Sequence, residues 1–179
     1  MSMQVAFFRN MNLGQARSRS PRSPELLDAF AAAGATRAVN FQTNGTVIFS
    51  GDEPAALAES VVARLTAVTG YSDLVVVRSA DWLIDTVGHL DPDLPGGEFT
   101  LFDAASIPEL VLPHVERVPT GELVVHALSS SHAVTSATGS GISAGPELTR
   151  LLGIPVTCRG VPTMQRLVAR LTILAAQQT

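Results

Sequence analysis

The sequence predicts an α+β chain: a first half with two helices on one face of a mixed sheet, followed by a second, less regular α+β half. Three observations predict it. Strand-like and helix-period segments of residues 1–78 follow the order β-α-β-β-α-β. The two middle strands are joined by Asn44-Gly45, a hairpin signal that no simple alternating βα sheet would carry. The composition, 46% apolar and 16% charged, suits a cored globular chain.

Each element has its own justification. Gln4 to Phe8 is an apolar run and reads as a strand. Ser23-Pro24-Glu25 reads as a helix start, with a serine cap, a proline whose missing N–H costs nothing there, and an acid in the first turn. Leu26, Leu27, Phe30 and Ala33 recur at helical spacing, and Gly34 closes the helix. Ala38 to Thr43 and Thr46 to Ser50 are β-prone, and the turn between them is expected to hold two positive φ angles. Asp52 is the expected cap of a second helix, with Leu57, Val61, Leu65 and Val68 on one face. Leu74 to Val77 is unbroken apolar sequence, as for a strand buried on both faces. The order is that of a split-βαβ, ferredoxin-like unit.

In the second half, Ser79 caps a short helix and the loop from His89 to Gly97 marks the boundary region, giving halves 1–78 and 79–179. Glu98 to Phe102 is strand-like, Ile107 to Leu112 is a candidate short helix ended by Pro113, and Glu122 to Leu128 is a strand that His132 to Ser136 pairs with. Gly145-Pro146-Glu147 opens a helix that Gly153 closes, Pro155 to Cys158 is a short strand, and Pro162 to Gln177 is an amphipathic final helix. This half reads as a loose repeat of the first.

Several function classes are excluded or disfavoured by composition. No apolar run reaches the roughly 18 residues of a membrane span, and no signal peptide is legible, so a cytoplasmic chain is expected. The single cysteine, Cys158, rules out an internal disulfide and any CxxC motif, and the four histidines show no metal-ligand spacing. A net charge of −4 argues against broad nucleic-acid binding. The charge is uneven, however. All twelve basic residues are arginine; Arg9, Arg17, Arg19 and Arg22 lie in the first 22 residues with no acid, and residues 81–122 hold nine acids. A local basic site for a small anion fits this pattern.

Three segments carry a family resemblance: "VAFFRNMNLG", "FQTNGTVIFSG" and "LLGIPVTCRGVPTMQRL". They resemble, in order and spacing across almost the whole chain, the landmarks of the bacterial DUF1697 family, which run approximately "LLRGINVGG", "YIQSGNVVF" and "LG..aTTRNWNTV.KL". The resemblance implies a two-part α+β fold and brings no activity, because the family is one of unknown function. Arg9, Asn12, Gly14, Gln42, Gly45, Arg159 and Thr163 match it. Asn10 stands where the family usually has glycine, "GQAR" replaces "GGKN", and Gly160-Val161-Pro162 replace a polar and aromatic trio.

The candidate site is therefore the loop after the first strand: Arg9, Asn12 and Gly14, with Gln42 from the hairpin and Arg159 and Thr163 from the third landmark. Arginine suits bidentate binding of phosphate or carboxylate, and a glycine-containing loop offers backbone N–H groups. A structural reading stands beside it, in which both arginines pair with carboxylates or carbonyls and the loop is a turn. Arg17, Arg19 and Arg22 read as a solvated arm. "TGSGISAGPE", from Thr138 to Glu147, lacks the Gly-Lys-Ser/Thr ending of a phosphate loop, and "HALSSSH" lacks a GxSxG elbow, so both read as structural. Cys158 reads as a core residue and the middle acids as a solvated face. No intrinsic cofactor and no metal are expected. The expected partner is a small anion, in a monomer or homodimer. The alternative is a self-association module built on an exposed sheet edge, and an enzyme acting on a phosphorylated metabolite ranks behind both.

Overall fold

The fold is described from a computed structural model, covering residues 2–139 and 141–177. It divides into two compact units, Met1–Asp85 with Leu171–Thr179, and Thr86–Arg170. The sequence boundary after residue 78 stands beside this division, which also returns the end of the chain to the first unit.

The first unit holds β1 (Gln4–Phe8), α1 (Ser23–Ala32), β2 (Arg37–Gln42), β3 (Thr46–Ser50), α2 (Pro54–Thr69), β4 (Val75–Ser79) and the start of α3 (Ala80–Val87). The strand order β2-β3-β1-β4 is the ferredoxin-like one, but each neighbouring pair is antiparallel rather than mixed. The helix α1 returns the chain parallel to β1, and β3 then inserts between β1 and β2, so the two parallel strands never touch. One face of the sheet, Ala6, Phe8, Val47 and Phe49, packs with Leu26 and Phe30 of α1 and Leu57, Val61 and Leu65 of α2. Phe30 meets Phe49 at 5.1 Å and Phe8 edge-on at 6.1 Å. Burying each such ring contributes about 1.5–3 kcal/mol.

Several expected details shift. The α1 cap is Arg22 rather than Ser23: its backbone N–H donates to Glu25 (2.8 Å), and Ser23 already sits in the first turn, where its hydroxyl takes a bond from Asn40. Glu53, not Asp52, occupies the α2 cap, in a left-handed conformation (φ 47°). Val68 is 72% exposed rather than inward. The strand β4 is an edge strand with only Val76 buried, so its apolar run does not signal burial on both faces. Only Gly45 (φ 69°) has positive φ in the hairpin turn. The last ladder pair is Gln42 with Thr46, which leaves a three-residue loop whose final position alone is left-handed. Ser79 does cap α3, accepting the Trp82 N–H at 3.2 Å.

The second unit holds β5 (Glu98–Leu101), β6 (His114–Val118), β7 (Gly121–Leu128), β8 (His132–Gly139), α4 (Ala144–Leu152), β9 (Thr157–Gly160) and the first part of α5 (Val161–Ala176). Its sheet order is β6-β7-β8-β5-β9, again antiparallel throughout. The core under α4 joins Phe102, Leu123, Val125, Ala133 and Leu148. Ile107 to Leu112 forms no helix. Six residues holding Pro108, with Pro113 next, cannot offset the cost of nucleation. The strand β6 is one that the sequence pattern did not reveal.

The loose repeat is visible in topology. The order β7-β8-β5-β9 copies β2-β3-β1-β4, with α4 in the place of α2, residues 102–113 in the place of α1, and β6 added outside. The registers agree residue by residue. Val5 faces Ile48 and Arg78, and Phe99 faces Val134 and Arg159, so Arg159 is the counterpart of Arg78.

Candidate functional site

The loop between β1 and α1 is fastened at both sides. The Arg9 N–H donates to the Leu74 carbonyl (2.9 Å), and the Tyr71 hydroxyl donates to the Arg9 carbonyl (2.6 Å). One step on, Asn10 is left-handed (φ 52°), which explains why glycine is the family's usual residue there: glycine and asparagine tolerate that region best. The Asp73 carboxylate then gathers this end of the loop. It accepts from Arg9 Nη1 at 3.2 Å, Asn10 Nδ2 at 2.7 Å and the Leu74 N–H at 2.7 Å. Arg9 therefore has the carboxylate partner that the structural reading expects.

The other side of the loop meets the hairpin. Phe8 N–H donates to the Gly45 carbonyl (2.9 Å) and Leu13 N–H to the Thr43 carbonyl (2.7 Å). Buried Met11 fills the space over Gly45 so closely that a Cβ there would stand 2.7 Å from the Met11 Cβ. Gly14 (φ 81°) and Gln42 line one cleft of about 360 Å³, together with Arg22, Asn40 and Phe41. Asn12 is exposed. Its N–H donates to Ser20 Oγ (2.9 Å) and its carbonyl accepts from Gln15, so it shapes the loop.

Arg17, Arg19 and Arg22, which follow, are all exposed, as a solvated arm would be, on a segment that is itself tied by hydrogen bonds. Gly14 N–H donates to the Pro21 carbonyl (3.0 Å), and Ser18 and Ser20 hydroxyls meet at 2.7 Å. Arg22 is bound twice by Glu25, and its backbone N–H and then its guanidinium hold that carboxyl below its ordinary value. Arg19, also left-handed (φ 53°), lies over Gly70 and lines a polar depression of about 190 Å³ with Asn10, Ser18, Tyr71, Ser72 and Asp73. Arg19 makes no ion pair with any described residue. With Arg9 offsetting Asp73, the depression carries one cation in excess.

Arg159 and Thr163 belong to the second unit and have bonds there. Arg159 is 7% exposed; its Nη1 donates to Thr157 Oγ1 (3.0 Å) and the Cys158 carbonyl (2.8 Å). Its counterpart Arg78 makes the same bond to the preceding carbonyl, at 2.8 Å. Thr163 Oγ1 accepts from Arg166 (3.1 Å). Of the six expected residues, the structure places Gly14 and Gln42 in one cleft, and Arg9 and Asn12 on the same loop.

The other motifs take structural roles. At the end of "TGSGISAGPE" the Glu98 carboxylate accepts the Ala144 N–H (2.6 Å), so an acid holds the helix terminus a phosphate would need; Ser140 lies outside the described residues. Ser129 Oγ takes the N–H groups of Ser131 and His132 and meets His132 Nδ1 at 2.9 Å, which is a turn fastened by serine. Cys158 Sγ meets Thr100 Oγ1 at 3.2 Å. Sequence reasoning missed Asp73, Tyr71 and Arg19. The one available signal was the acid in "GYSDL" at the entrance of a strand, beside an arginine at the exit of its neighbour.

No helix of the described residues is long and apolar enough to cross a membrane. The fold is similar to "conserved bacterial protein SP0830 from Streptococcus pneumoniae", with a TM-score of 0.64 at 15% identity, covering 96% of this chain and 99% of that one. At that identity the likeness speaks for the fold alone. No curated protein matches. The family profile described as "Protein of unknown function (DUF1697)" matches residues 1–93, which hold β1, the Asp73-tied loop and the hairpin, and the chain belongs to that family.

Proposed function

We propose that the protein binds a small anionic ligand, a phosphate or a nucleotide-like molecule, on the loop after β1. The observation that carries the reading is Arg19. It is a guanidinium without an acidic partner among the described residues, on the wall of a depression where Arg9 already offsets the one carboxylate. Arginine with a neighbouring hydroxyl, here Ser72, is a donor set that suits an oxyanion; the Ser18 hydroxyl already donates to the Gln15 carbonyl (2.9 Å). The other support is strain. Two of the three left-handed non-glycine residues among those described, Asn10 and Arg19, line this one depression. In this reading Arg9 and Asn12 hold the loop, and Gly14 and Gln42 line a second cleft, at the hairpin side of the same loop, that would take the uncharged part of a larger ligand. Arg159 and Thr163 are not required.

Thermal unfolding in the presence of phosphate, sulfate, AMP and ATP tests it. Phosphate or a nucleotide is expected to raise the Tm, and Arg19→Gln to remove that rise without lowering the Tm of the free protein. Gln42→Ala should weaken the nucleotide response and spare that to phosphate. A flat response across the panel, or an Arg19→Gln protein that responds like the wild type, overturns the reading.

A further inference from the structure

The strand β6 and the segment before it form the part of the chain that the loop site leaves unused. This strand is the outermost of its sheet and is paired only with β7 among the described residues. An open edge presents unpaired backbone groups to any strand that can align with it. Of the six exposed large apolar residues described, four lie together here: Ile107, Val111, Leu112 and Val115, the last 45% exposed. An apolar stretch on an open edge is a surface that association would bury.

The sequence of the edge says what fits it. When two copies of a strand pair antiparallel about a two-fold axis, one residue must face itself, and each choice fixes all other pairs. Centring on Glu116 or Arg117 sets like charges opposite each other, which is unfavourable. Centring on His114 or Val118, the two ends of the strand, leaves a single residue of it paired. Centring on Val115 sets no like charges opposite each other. Val115 faces Val115, and His114 faces Glu116 twice, in exchange for the His114–Glu116 bond within each chain (3.1 Å). Leu112 and Pro113 form the bend before the strand and stand outside the ladder, and Arg117 keeps its own partner Glu122 (3.3 Å). The occupant that the edge selects is therefore a second copy of itself.

We propose that the protein forms a two-fold dimer by antiparallel pairing of β6, with Val115 on the axis. The proposal is independent of the anion site, since β6 lies in the other unit and no residue is shared. Light scattering is expected to give twice the monomer mass at high micromolar concentration. Val115→Lys, at an exposed edge position, should return the monomer mass with an unchanged circular dichroism spectrum. In a Cys158→Ser background, Val115→Cys should form a disulfide-linked dimer on mild oxidation, and Glu122→Cys, off the axis, should not. A wild-type protein that stays monomeric, a Val115→Lys protein that stays dimeric, or Val115→Cys cross-linking no faster than Glu122→Cys overturns it.

Discussion

Replacing Gly45 by alanine tests the join between the first loop and the hairpin. Two costs are expected. The left-handed backbone (φ 69°) disfavours any Cβ, by about 1–2 kcal/mol. The new methyl would also meet Met11, with its Cβ at 2.7 Å and its Cγ and Sδ at 3.0 Å. Forcing one carbon into a filled space typically costs a further 1–3 kcal/mol or so. Gly153 separates the two effects, because its φ is 70° and a Cβ there would meet nothing within 4 Å. Urea unfolding should therefore show Gly45→Ala losing about 2–5 kcal/mol and Gly153→Ala only the strain part, about 1–2 kcal/mol. The difference reads the contact itself. Amide exchange adds a local check: the Leu13 N–H, bonded to Thr43, should exchange faster in Gly45→Ala at equal global stability. Equal costs at the two glycines would refute the claim that loop and turn are packed together.

Two further outcomes follow from the packing and the charges. Phe30, fully buried against Phe8 and Phe49, should cost about 3–5 kcal/mol when cut to alanine, measured by the same unfolding assay. Glu116 is held below its ordinary carboxylate range, first by its bond to Arg150 and then by its bond to His114. A carboxyl lowered in the fold adds stability above its unfolded pKa and loses it as pH falls through the folded one. Glu116→Gln should thus flatten part of the acid-side loss of stability and leave the neutral-to-alkaline range unchanged in slope; a titration of the Glu116 carboxyl at its ordinary value would contradict it.

The first half of the fold was legible because its signals are local. Proline after serine, glycine after an apolar helix face, and Asn-Gly between β-prone runs each act within a few residues. Their fine placement was not legible, since it depends on ladder register: the pair Gln42 with Thr46 decides that the turn has three residues, and only Gly45 then needs positive φ. The site followed the same rule. Arg9 and the polar loop could be read as a landmark, but the carboxylate that Arg9 meets lies 64 residues away. It comes into reach because β4 lines up beside β1, with Phe8 opposite Val75. Arg19 read as solvated and is exposed; what sequence could not show is that its side chain passes close to the glycine cap of α2.

The second half was harder to read for a reason the repeat makes plain. Where the first unit spends ten residues on α1, the second has a proline-broken segment that no helical period can describe, and β6 then follows as five residues whose adjacent charges, Glu116 and Arg117, break the apolar alternation of a strand. The same repeat bears on Arg159. The resemblance marks it as a site residue, yet Arg78 sits at the matching register one residue before the matching end of a strand, and a helix follows directly in both cases. Each guanidinium bonds the carbonyl of the residue before it at 2.8 Å. A joint built twice with the same side chain and the same bond is accounted for by the turn from strand to helix. The proposed anion binding therefore rests on the first loop, where Arg19 has no such twin.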